Sequence, residues 1–122
     1  MSFDELPPAV RFQLAGLGPV LLGLVCGFCL HVSAGAWWGV NAAGALGGLA
    51  GGLDYAAPGP AVRRGVSGGL LFGIGVVAAD AMAHGGRHAP VPTPMALLIP
   101  LSMAVGTALA LLGARARARA RA

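Results

Sequence analysis

The chain has 122 residues, 57% of them hydrophobic and only 10% charged, with a formal net charge of +4, whereas ordinary soluble domains carry about 25% charged residues. Its 21 Gly and 9 Pro stand against 4 Phe, 2 Trp and 1 Tyr. A water-exposed fold of this composition lacks both the bulky apolar side chains of a close-packed core and the charges that keep a domain in solution. The balance disfavours a soluble globule and favours a chain solvated by a bilayer.

Four apolar stretches follow in chain order. Nineteen uncharged residues separate Arg11 from His31 and 22 separate His31 from Asp54, each enough at about 1.5 Å per residue to cross a hydrocarbon layer of about 30 Å. These predict spans at about 12–31 and 34–53. A third, at about 65–84, is uncharged only from Gly65 to Ala79 and then contains Asp80. A fourth, at about 94–113, starts with Thr93 as N-cap and Pro94 in its first turn, and Pro100 is expected to kink it. The expected fold is therefore an all-α membrane protein, a single domain of four transmembrane helices with Gly-rich packing faces, followed by a basic tail at 114–122.

Arg11, Arg63, Arg64, Arg115, Arg117, Arg119 and Arg121 fall on one side of these spans and Arg87 alone on the other. The positive-inside rule then places both termini in the cytoplasm, in a bacterial cytoplasmic membrane. Trp37 and Trp38 fit the headgroup level at the outer end of the second span, an interior pair being the alternative. Ala34-Gly35-Ala36 resembles a signal-peptidase site, but Asp4 and Glu5 against a single Arg11 give an unsuitable n-region.

Packing devices are the most visible pattern. Gly44, Gly48 and Gly52 recur at four-residue spacing in the second span beside Ala43, Gly47 and Gly51, and Gly65, Gly69 and Gly73 do the same in the third. Small residues at this spacing let helix backbones approach where lipid removes the hydrophobic drive for association. Pro58-Gly59-Pro60 reads as a turn, so the second and third spans are expected to form a tight hairpin. Glycine on two faces of one helix also suggests a homo-oligomer or a place in a larger membrane complex. The serines Ser33, Ser67 and Ser102 read as packing hydroxyls.

Polar chemistry gathers toward the outer half. Cys26, Cys29, His31, Asp80, His84 and His88 all fall there, and Cys26, Cys29, His84 and His88 are the candidates for a metal site, thiolate and imidazole suiting zinc or copper(I). The bland reading is that the histidines sit at loop ends and the cysteines act as small apolar residues. Cys26-Gly-Phe-Cys29 resembles, over these four residues, the quinone-coupled thiol oxidases, four-helix membrane proteins of disulfide formation. That family carries a second cysteine pair in an outer loop, which this sequence does not have, and the resemblance then implies only a structural or partner-dependent thiol pair. Asp80 is the single carboxyl inside a span, a candidate proton or cation site. It is also within reach of His84 or Arg87 on the same helical face, which would make it structural.

The alternating Arg115, Arg117, Arg119 and Arg121 suit anionic lipid headgroups, at about 1 kcal/mol each. Nucleic-acid binding is not expected, because no folded reader module or interleaved aromatic accompanies these charges. No phosphate-binding loop and no nucleophile elbow is present, and neither an enzyme nor a cofactor is expected. The expected role is structural or accessory within the membrane, the alternative being permeation of ions, protons or metals, as a channel, a transporter subunit or a holin-like pore.

Overall fold

A computed structural model describes residues 5, 7–12, 16–53, 55, 58–83, 86–87, 89–91 and 94–120. Every regular element among them is helical: α1 (Pro8–Phe12), α2 (Gly18–Leu30), α3 (Ala34–Gly52), α4 (Pro58–Met82), a 3₁₀ turn (Met95–Leu97) and α5 (Leu98–Ala120). Thr93, His84 and His88 lie outside the described residues.

Helix boundaries follow local chemistry that the span lengths did not capture. Pro58 and Pro60, expected in a turn, occupy the first and third positions of α4. Backbone N–H groups have no intrahelical acceptor there and proline's fixed φ suits the helix, so α4 starts at Pro58 rather than Gly65. Pro100 is likewise the third residue of α5, directly after the 3₁₀ turn, where its missing donor costs the helix no hydrogen bond. Ser33, expected to pack against a helix, caps one: it is extended, and its hydroxyl accepts the Ala36 N–H at 3.0 Å. The expected tail continues α5 to Ala120. Arg117 turns toward α3 and donates from Nη1 to the Leu53 carbonyl at 3.4 Å, a cation at a helix C-terminus, while Arg115 and Arg119 are exposed. Arg121 is outside the described residues.

α4 is the central helix, and glycine lets both of its faces be occupied. On one, a Cβ at Gly65 would lie 2.6 Å from the carbonyl oxygen of Gly106, and one at Gly73 2.9 Å from Ile99 Cα. Gly69 faces the carbonyl of Ser102 on the same helix, α5. On the other face, Gly75 meets Val20 at 2.6 Å, and Gly23 and Gly27 of α2 meet Phe72 and Val76. No real Cβ tolerates such approaches, so backbone-to-backbone van der Waals contact takes the place of interdigitating side chains.

With α4 engaged by α2 and α5, the expected α3–α4 hairpin does not form as a tight pair. Instead α3 joins α2 at one end and α5 at the other, where Gly52 meets Ala110 and Gly113 meets Leu49. Of the Gly44, Gly48, Gly52 stripe, Gly52 alone is in such close contact. A Cβ at Gly44 or Gly48 would find Leu22 or Leu109 at an ordinary 3.4 Å, and one at Gly47 would meet open space.

Large and small side chains are distributed inside out relative to a water-soluble bundle. Leu21, Val25, Leu46, Leu101, Val105 and Leu112 are all about half exposed or more, whereas the largest fully buried side chains are Leu30, Val76 and Cys26. Pro58–Met82 and Met95–Ala120 are long and apolar enough to cross a membrane. Gly18–Leu30 is apolar but has 13 residues, about 20 Å against the roughly 30 Å of a hydrocarbon core. The two tryptophans part company. Trp37, 4% exposed, joins Cys26, Leu30, Val76 and Met95 in the core, whereas Trp38 is 57% exposed, so the headgroup position expected for both is open to Trp38 alone.

Candidate functional site

The His31 end of the bundle carries its ionic chemistry. α2 stops at Leu30 with His31 as its C-cap, and Asp80 lies in the last turn of α4. A carboxylate at a helix C-terminus faces the negative end of the dipole, so cations must offset it. Arg87 does so bidentately: its Nε donates to Asp80 Oδ1 at 3.0 Å and its Nη2 to Oδ2 at 2.7 Å. His31 Nε2 stands 2.8 Å from Oδ1, and because an ionised carboxylate can only accept, that nitrogen carries the hydrogen. The His31 and Asp80 side chains are each 8% exposed and Arg87 41%, so the cluster closes from the inside and opens to its surroundings through Arg87. The hydrogen bonds it donates to Asp80, followed by the carboxylate's charge, push the Arg87 guanidinium above its ordinary pKa.

The expected Asp80–Arg87 contact is present, but by another route. α4 ends at Met82, so Arg87 folds back from the loop instead of sharing a helical face. The bond to His31 was not foreseen, although its gathering at the same end was. His84, the other candidate neighbour, is outside the described residues.

Beneath this cluster sits a polar contact that span counting missed. Asn41 Nδ2 donates to Cys26 Sγ at 3.2 Å and to the Trp37 carbonyl at 2.8 Å, tying α3 to α2 across |i−j| of 15. Cys26 is fully buried, Cys29 half-buried, and both thiols are free. Among the described residues no three His, Cys, Asp or Glu side chains come together to hold a metal ion, and the Cys26–Cys29 half of the proposed ligand set is oriented with one thiol in the core. The Trp37 indole N–H is buried beside this contact with no hydrogen-bond acceptor.

A cavity of about 410 Å³ lies between α3 and α4 and is bordered by α2 and α5. The α3 glycines Gly44, Gly47, Gly48 and Gly51 form one wall, and across it Phe72 and Arg64 mark the two ends on α4. Arg64 points inward, its Nε 3.6 Å from where a Gly51 Cβ would be, while its neighbour Arg63 is exposed. As letters the two are equivalent flanking charges; on α4 about 100° of rotation separates them and turns one inward and the other out. His31 and Asp80 do not line this cavity. Comparison of the chain with protein-family models, with curated proteins and with solved structures finds no match.

Proposed function

We propose that the chain is a small multi-pass membrane protein of structural or accessory role, its helices α2 to α5 crossing or entering the bilayer with both termini on the cytoplasmic side. The observation that carries this reading is the inverted packing: glycine and alanine at the helix contacts, large aliphatic side chains on the outside. In water that surface would drive association; in lipid it is the solvated face. α3, rich in glycine and of 19 residues, and the short α2 need the longer α4 and α5 as scaffold. On this reading the Asp80 cluster is a clamp between the ends of α2 and α4, and Arg115 and Arg119 meet anionic headgroups.

Permeation through the same bundle would need Asp80 or a histidine beside a water path. Asp80 is instead engaged on both oxygens by Arg87 and on one by His31, and it stands apart from the cavity, which favours the accessory role. Two measurements on tagged full-length protein test it: flux of ions, protons and dye in proteoliposomes, and composition of the species extracted from native membranes in mild detergent. The accessory reading expects no flux above empty liposomes and a larger assembly that keeps the chain at fixed stoichiometry. Flux abolished by Asp80→Asn would overturn it.

A further inference from the structure

We propose that the cavity between α3 and α4 is a binding site for a single-chain anionic amphiphile of the fatty-acid class, its acyl chain lying along the glycine wall of α3 and its carboxylate at Arg64. The inference goes beyond the membrane role and depends only on the cavity and its charge.

Shape points first to a chain. The lining of α3 runs from Asn41 to Gly51, about 15 Å at about 1.5 Å per residue, so the space is elongated along that helix. Its size, about 410 Å³, is in the range of pockets that hold small ligands, about 300–1,000 Å³. The wall chemistry then rejects water as the main occupant. Roughly 14 water molecules would fit at about 30 Å³ each, and each needs two to four polar partners. The side chains that offer them are Asn41, Ser102 and Arg64, and the Asn41 amide nitrogen is already engaged by Cys26 and Trp37. Leu22, Phe72, Leu98, Leu101, Val105 and Leu109 supply apolar contact over the remainder.

Charge fixes the head group and its direction. Arg64 is the charged residue of the lining and sits at one end of it, held against α3 where Gly51 has no side chain. A guanidinium has five donors in a planar fork matched to a carboxylate, and can serve such a group while keeping other acceptors. The opposite end, at Phe72 and Leu98, is apolar but for Asn41, whose amide nitrogen already donates to Cys26 and the Trp37 carbonyl. An amphiphile with its anion at Arg64 and its tail toward Phe72 therefore satisfies both ends, and a neutral or cationic one does not.

The test is photolabelling of the full-length protein in phosphatidylcholine vesicles with palmitate bearing a diazirine on its chain, beside the corresponding fatty alcohol. Saturable adducts on cavity residues are expected with the acid, at least tenfold above the alcohol. Gly47→Leu places a side chain in the cavity, where a Cβ meets open space, and Arg64→Gln removes the charge; each is expected to lower acid labelling at least tenfold. Gly39→Leu, on the same helix with equally open space around it but outside the cavity, is expected to label like the wild type. Equal labelling by acid and alcohol, labelling undiminished by Gly47→Leu, or adducts confined to outward residues such as Leu46 and Leu112 would overturn the proposal. Should Arg64→Gln fail to fold, the alcohol comparison carries the charge and Gly47→Leu the place.

Discussion

Gly65 and Gly106 face each other so closely that a Cβ on either would lie 2.6 Å from the carbonyl oxygen of the other. This reciprocal contact makes α4 and α5 a backbone-packed pair, and it separates glycines that hold the fold from glycines that merely occupy it. Overpacking of this kind costs about 1–3 kcal/mol. Gly65→Ala and Gly106→Ala are each expected to lose that much in denaturant titrations of micelle-embedded protein. Gly39→Ala, with open space around its Cβ, is expected to gain up to about 1 kcal/mol from reduced backbone entropy. Equal effects at all three positions would remove the distinction.

The Asp80 cluster predicts an order of severity. Asp80→Asn removes the negative charge and one of the two acceptor oxygens that Arg87 and His31 share, and is expected to cost about 2 kcal/mol, the range of hydrogen bonds to charged groups. Arg87→Ala is expected to cost less than Asp80→Asn, because the guanidinium is 41% exposed and water replaces part of what it loses. Arg87→Lys should not restore the wild-type value, since an ammonium cannot make the bidentate pair. The same unfolding titrations rank the three, and Arg87→Ala more damaging than Asp80→Asn would contradict the clamp.

Cysteine chemistry gives a readout of the core. With Cys26 fully buried and Cys29 half-buried, a membrane-permeant maleimide is expected to modify Cys29 first and Cys26 only on unfolding. Asn41→Ala, which deletes the amide that reaches Cys26 and Trp37, is expected to destabilise the protein by about 1 kcal/mol and to speed Cys26 modification. Mass-mapped labelling against time checks both, and equal rates at the two thiols in folded protein would count against this packing.

Arg117 and Arg119 should differ although they look alike in the repeated tail. Arg117 reaches the carbonyl of Leu53 at the C-terminus of α3, worth about 0.3–1 kcal/mol for a cation at a helix end. Thermal unfolding in detergent is expected to detect Arg117→Ala and not Arg119→Ala.

Much of this architecture was legible in the residues. Composition and apolar runs gave the all-helical class, and the i, i+4 glycines of α4 lie on the surface on which α5 packs. What escaped was which stripe each neighbour uses. Gly44 and Gly65 are equivalent as letters, and only the position of a second helix decides that one meets backbone and the other a cavity. Proline hid two boundaries, because Pro58 and Pro60 serve equally in a turn or in a first helical turn. At the ionic cluster, charge and spacing gave Asp80 and Arg87, while the bond to His31 depends on a 49-residue separation that no local pattern encodes. In the sequence Arg64 is indistinguishable from its neighbour Arg63, and Asn41, a single amide in an apolar run, carries no charge to mark it.

The central claim is that lipid, not water, solvates the outward aliphatic side chains. In a chain with Cys26 and Cys29 replaced by Ala, single nitroxide labels at Leu21, Leu46, Ile74 and Leu112, reconstituted in vesicles, measure this through relaxation by oxygen, enriched in lipid, and by a water-soluble nickel chelate. High oxygen and low nickel accessibility at all four positions is the expected result. Nickel accessibility matching that of free label in buffer would contradict it.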